Sequence, residues 1–225
     1  MFEYPSAAKS TPRLRAVQNP ELDAFRAECA AVDATLGGVP SDAWTRTALG
    51  SWTLAELVAH LIRQVTRLTA YADEPVQDEA PAVDRFGYYR YDHAAMAPGV
   101  AARAVQEARK VDAETLPALF AESWRDAADL AADLPGDRLI TTIRGALRAD
   151  EYLATRVLEV TIHHLDLRAA LDLPPKPTPE AGALVMALLE GMLDGPRPRN
   201  LGRVRFLLTA SGRIPSDDPR FPLVS

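Results

Sequence analysis

The sequence predicts a mainly α fold, a helical bundle of about five or six main helices closed by a short mixed C-terminal segment. Three observations carry this. Apolar residues return every three or four positions in several long stretches, Gly and Pro punctuate the gaps between them, and 48% of the 225 residues are hydrophobic against 25% charged, enough for one core. The bundle is assigned to residues 20–195, and residues 196–225 form a short extension with one strand.

Leu22, Phe25, Cys29, Val32 and Leu36 mark one stripe of a first helix from about Glu21 to Leu36, which Gly37, Gly38 and Pro40 end. After a linker through Ser51, Thr53 and Glu56 have capping-box spacing, and Leu54, Leu57, Leu61, Val65 and Leu68 give a second helix to about Tyr71. Asp73 to Asp84 holds five acids and two prolines and reads as a solvated loop. Phe86, Tyr88, Tyr89 and Tyr91 follow, as a cleft wall or as packing for the loop. Gly99 to Leu134 reads as one long helix or two, with Pro117 in the first turn of the second. Ile140 to Ile143 is a short extended piece, and a helix starts near Asp150 and continues through Ala170. Thr178 and Pro179 open a further helix through Met192, and the alternation of Val204, Phe206 and Leu208 predicts a terminal strand.

Composition removes several function classes. The longest apolar run, Ala183 to Leu189, is seven residues, against roughly 20 for a membrane span. The N-terminus lacks the basic-then-apolar layout of a secretory signal, so a cytoplasmic location is expected. One cysteine, Cys29, excludes an internal disulfide and a Cys-rich metal site, and its place on the first apolar stripe favours inert burial over nucleophilic use. A net charge of -6 gives no general attraction to nucleic acid, and the acid-free stretch from Gly195 to Arg213 is too apolar and Pro-rich for a recognition helix. Gly37 with Gly38 lacks the continuation of a phosphate loop. The apolar faces suit either a wholly internal core or a homodimer seam.

The informative spacing is Glu159 to His163, which puts a carboxylate and an imidazole on one helix face. His60 sits beside the inward stripe of the second helix and can provide a third ligand across the bundle interior. Glu56, four residues before His60, offers a competing pair, and spacing alone does not choose between the two. Asp166 either accepts the other ring proton of His163 or pairs with Arg156 or Arg168. His164, turned about 100° from His163, is expected at solvent or an interface. His93, beside Tyr91 and Asp92, is a weaker substrate-binding candidate, and Trp44 and Trp52 look first like packing residues.

The order of residues carries a resemblance. GSWTLAELVAHL, Gly50 to Leu61, resembles the second-helix motif of the mycothiol-dependent maleylpyruvate isomerase N-terminal family, within the DinB-like metal-binding bundle superfamily. ADEYLATRVLEVTIHHLDL, Ala149 to Leu167, resembles that family's later motif, where arginine precedes glutamate and histidine and aspartate follow. The resemblance implies a DinB-like four-helix bundle with additional short helices, and His60, Glu159 and His163 as metal ligands, zinc first, with other divalent ions open to the same donors. It also implies mycothiol as thiol cosubstrate, deprotonated on the metal. The thiolate would then transfer sulfur to an electrophile or isomerise an unsaturated acid such as maleylpyruvate. Arg156 and Asp166 are the expected catalytic supports, and Arg205 and Arg213 the expected entrance residues for a carboxylate. The rival readings are a hydrolase using metal-activated water and a noncatalytic thiol-binding protein.

Overall fold

The computed structural model describes residues 19–74, 76 and 80–224, without the side chains of residues 93 and 94, so the reading of His93 and part of the acidic loop lie outside the described residues. Seven helices run α1 Pro20–Leu36, α2 Leu54–Ala72, α3 His93–Ala108, α4 Leu116–Asp133, α5 Ala149–Ala170, α6 Pro179–Met192 and α7 Arg203–Ala210 among the described residues. Two small antiparallel hairpins join them, β1 Thr47–Leu49 with β2 Trp52–Thr53, and β3 Leu139–Thr142 with β4 Gly145–Arg148. None of the described helices is long and apolar enough to cross a membrane.

Helices α1, α4, α2 and α5 pack in a closed ring, each against the next, so the expected four-helix bundle is present. α3 flanks α2, α6 covers α1 and α5, and α7 packs on α6. The stripe Phe25, Cys29, Val32 and Leu36 of α1 meets Leu54, Leu57, Leu61, Val65 and Leu68 of α2 in one core. Local chemistry sets the ends. Asn19 accepts the Leu22 N–H at 2.9 Å and Pro20 fills the first turn of α1. At α2 the Glu56 carboxylate accepts the Thr53 N–H at 2.7 Å while Thr53 Oγ1 accepts from the Glu56 N–H at 3.3 Å. That bond engages Glu56 at the helix start.

α5 is the submerged element. From Tyr152 through Leu167 every residue is buried except Glu159. A helix packed on all sides has no solvent face, and α5 meets α1, α2 and α6. The sequence expectation for His164 therefore fails: it is buried, with Nδ1 2.6 Å from Glu28 Oε1 and Nε2 3.0 Å from Thr35 Oγ1.

One further expectation is corrected. The terminal strand is helix α7, because over so few residues the alternation of Val204, Phe206 and Leu208 also fits a helix, and Phe206, Leu207 and Ala210 form its buried face. The aromatic cluster divides between its two expected roles. Phe86 lies so close to Gly191 of α6 that a Cβ there would overlap its ring, whereas Tyr88 and Tyr91 reach the cleft described below. The β3–β4 turn needs Gly145, which has φ +105° and where an added Cβ would come within 2.9 Å of the Ala82 Cβ.

Candidate metal centre at the floor of an arginine cleft

Helix α2 carries His60 inward beside Leu61, and α5 carries Glu159 and His163 one turn apart, so packing of α2 on α5 brings the three together. One potential ligand atom from each residue lies within 4.8 Å of the other two. His163 Nε2 is 3.7 Å from Glu159 Oε2, and the two imidazoles meet edge to face with centroids 4.8 Å apart. Two imidazoles and a carboxylate are the donor set of an open divalent site, and since donors about 2 Å from one ion lie no more than about 4 Å apart, side-chain shifts of about 1 Å would close the trio on an ion. The residues fit zinc.

The surrounding groups keep the donors in usable form. Burial pulls the His60 pKa well below the ordinary value, helped by the charges of His163, Arg156, Arg63 and Arg67, so its ring stays neutral. His163 Nδ1 lies 2.9 Å from Asp166 Oδ2, which directs Nε2 toward Glu159. Asp166 in turn accepts a bidentate pair from Arg213, Nε to Oδ1 at 3.0 Å and Nη2 to Oδ2 at 2.8 Å. Asp166 thus meets His163 and Arg213, whereas Arg168 donates to the Pro174 carbonyl at 2.7 Å and Arg156 to Thr155 and Gln64. The Tyr89 hydroxyl lies 3.2 Å from Glu159 Oε1 and 3.0 Å from the Thr155 carbonyl oxygen, and burial followed by the Glu159 charge raises its pKa well above normal.

Burial alone would raise the Asp166 pKa, but the bonds from His163 and Arg213 outweigh it and hold the group at about 2. A carboxyl whose folded-state pKa is depressed stabilises the fold above its unfolded value and loses that contribution as pH falls through the folded one. Asp166→Asn is therefore expected to cost about 2 kcal/mol at neutral pH and to flatten the acid limb of a stability curve between about pH 5 and 2. Denaturant melts across that range check it, and an acid limb as steep as wild type contradicts it.

Above the triad opens a cavity of about 390 Å³. Its lining includes Arg63, Arg67, Arg103, Arg144, Arg156 and Arg213, and among the described residues Glu159 is the one carboxylate in it. Of these arginines, Arg63, Arg67, Arg103, Arg144 and Arg156 make no ion pair among the described residues. Arg63 has its pKa lowered by burial and then by the neighbouring Arg67 and Arg103. Arg144 lies over the Tyr91 ring at 3.6 Å, and Arg67 donates to the Tyr71 hydroxyl. A cleft this cationic in a protein of net charge -6 concentrates anions.

Of the residues expected from sequence, His60, Glu159, His163, Asp166, Arg156 and Arg213 gather here, while Arg205 is exposed on α7 and outside the cavity lining. Arg156 reaches the cleft without a carboxylate partner among the described residues, outside any helix ion-pair network. Cys29 is buried, and burial, then Glu28 and Asp33, push its thiol pKa well up, as inert packing requires. Gln64 and the Arg63, Arg67, Arg103 and Arg144 wall were not anticipated. Part of the signal was present: His60, Arg63, Gln64 and Arg67 recur at three, four and seven positions on one face of α2.

A sequence-family comparison matches residues 25–168 to the mycothiol maleylpyruvate isomerase N-terminal domain, a range that includes His60, Glu159, His163 and Asp166. No curated protein matches the chain. The crystal structure of the mycothiol-dependent maleylpyruvate isomerase is similar in fold, with a TM-score of 0.50 and 19% sequence identity over 75% of this chain. The match covers 66% of that protein's chain. With the family matched over more than half its length, this chain belongs to the mycothiol maleylpyruvate isomerase N-terminal domain family.

Proposed function

We propose that the protein is a divalent-metal enzyme that uses a low-molecular-weight thiol, mycothiol, on a negatively charged electrophile, with cis/trans isomerisation of a maleylpyruvate-like acid as its best-supported reaction. The observation that carries this reading is the opening of the His60, Glu159 and His163 cluster into a cleft of six arginines. A divalent ion held by those three residues would deprotonate a thiol at neutral pH and so supply the nucleophile. His163 is oriented for this by Asp166, and Asp166 by Arg213. The family and the similar isomerase support the thiol and the acid.

The chain's own part is to hold the electrophile. Arg63 and Arg67 follow His60 by three and seven residues, so at about 1.5 Å of rise per residue a carboxylate bound there sits roughly 5 to 10 Å along α2 from His60. Thiolate addition to a carbon–carbon double bond moves an electron pair toward the substrate's carbonyl oxygen and leaves a single bond free to rotate. Return of that pair expels the thiolate and restores the double bond in the other geometry. The arginine wall meets the negative charge of each stage with charge-assisted donors. Transfer of sulfur to an electrophile with a leaving group would use the same cleft, ending in a stable thioether.

Cobalt-substituted protein tests the reading. Mycothiol is expected to perturb the cobalt spectrum, and conversion of a maleylpyruvate-like acid is expected only with thiol present. Hydrolysis without any thiol requirement would instead identify a water-using enzyme, and thiol binding without turnover across a panel of electrophiles would identify a noncatalytic protein. Arg63→Gln and Arg67→Gln are expected to raise KM for a dicarboxylate substrate about tenfold each, from lost charge-assisted bonds, with metal content unchanged. An unaltered KM in both variants would remove the arginine wall from substrate binding.

A further inference from the structure

Gln64 lies one turn beyond His60 on α2, and both are buried. The amide nitrogen of Gln64 is 2.7 Å from His60 Nε2, and its carbonyl oxygen accepts from Arg156 Nη1. Chemistry fixes the direction of this chain. A guanidinium only donates, so the oxygen of Gln64 faces Arg156 and the amide N–H faces His60. An amide nitrogen does not accept, so His60 Nε2 must, and the neutral ring carries its proton on Nδ1. Arrayed this way, His60 has no lone pair free.

Arg156 holds the amide in that orientation. It is 2% exposed, its other side-chain acceptor is Thr155 Oγ1 at 3.2 Å, and the rings of Tyr152 and Tyr88 lie 4.6 and 5.6 Å away. No carboxylate among the described residues pairs with it, so releasing the Gln64 oxygen would leave a buried cation still shorter of acceptors. His163 is in the opposite condition, because Asp166 accepts a hydrogen bond from its Nδ1–H and leaves Nε2 open beside Glu159.

Resting on the metal-centre reading above, we infer that Gln64, oriented by Arg156, is a gate on metal loading: its amide occupies His60 in the ion-free protein and must let go before His60 can serve as a ligand. The inference does not depend on which ring nitrogen takes the ion. If Nε2 does, the amide loses its acceptor. If Nδ1 does, the proton moves to Nε2 and confronts the amide N–H. Either way the Gln64–His60 bond breaks, and the loss is felt at Arg156 on the cleft floor. Gln64 is a positioning residue, acting through His60.

The test uses the full chain and needs no turnover. Long-range nitrogen–proton NMR of the ion-free protein is expected to show His60 as the Nδ1–H tautomer, and zinc is expected to shift the Gln64 side-chain amide signals. Gln64→Met, of similar volume but without a donor, is expected to bind zinc about tenfold tighter in competition with a chromophoric chelator, the equivalent of one lost competing hydrogen bond. Gln64→Glu keeps an oxygen on Arg156 and presents an acceptor to His60, so its ion-free tautomer should reverse to Nε2–H. An Nε2–H tautomer in the wild type, or unmoved Gln64 signals on zinc binding, overturns the gate, as does a folded Gln64→Met that binds no tighter. If Gln64→Met fails to fold, the wild-type spectra decide. Zinc binding to neither wild type nor Gln64→Met would sink the metal centre itself, whereas zinc binding with the wrong tautomer sinks the gate alone.

Discussion

Alanine at His60, Glu159 or His163 is expected to empty the metal centre. Purified without chelators, the wild type should carry about one divalent ion per chain, and each variant should lose affinity by roughly a hundredfold or more, since even the outer partners of metal ligands are worth 10–100-fold. Every member of this set is needed: the site rests on two imidazoles from two helices and one carboxylate, and a three-ligand site has no spare donor. Glu56→Ala is the discriminating control. Because the Glu56 carboxylate accepts the Thr53 N–H, its loss should cost about 1 kcal/mol of helix capping and leave the ion in place. Elemental analysis decides between the two acids that spacing alone left as rivals. Full zinc retention in all three alanine variants would defeat the assigned centre.

How much of this was legible in the chain depends on how local each signal was. The Thr53 and Glu56 box and the Glu159 to His163 spacing each span about one turn, the stripe of α2 repeats every three or four residues, and the structure keeps each of them. The β-branched run Ile140 to Ile143 reads as extended, and β3 covers most of it. The arginine wall was hidden because its members come from α2, α3 and the β3–β4 turn, which only the tertiary fold assembles. Helix α7 does not show in the sequence because a three-residue alternation does not separate a period of two from one of 3.6. His164 was misplaced for a physical reason of its own. Angular position on a helix predicts exposure only when the helix has a wet side, and α5 between α1, α2 and α6 has none except at Glu159.

Glu28→Ala is expected to be among the most damaging substitutions in the protein, although Glu28 touches none of the candidate ligands. Glu28 is fully buried in α1, a position where a carboxylate survives only if both oxygens are bonded. Its Oε1 lies 2.6 Å from His164 Nδ1, and its Oε2 accepts from the Thr178 N–H at 2.8 Å and the Thr178 hydroxyl at 2.7 Å. Thr178 is also the N-cap of α6, so one carboxylate joins α1, α5 and the start of α6. Truncation would strand the His164 ring and the Thr178 N–H without water, a loss of about 3–5 kcal/mol by analogy with other broken buried pairs. For a chain of this size that corresponds to roughly 10 °C in melting temperature. Replacing both Glu28 and His164 with leucine should recover part of it, because apolar packing then fills the site in place of one orphaned partner. At low temperature the Glu28→Ala protein should still bind zinc as the wild type does, which separates the fold's polar clamp from its metal site. A melting temperature within about 2 °C of wild type, less than 1 kcal/mol for a chain this long, would mean that the Glu28 to His164 pair contributes little and that apolar packing alone holds α1 and α6 on α5.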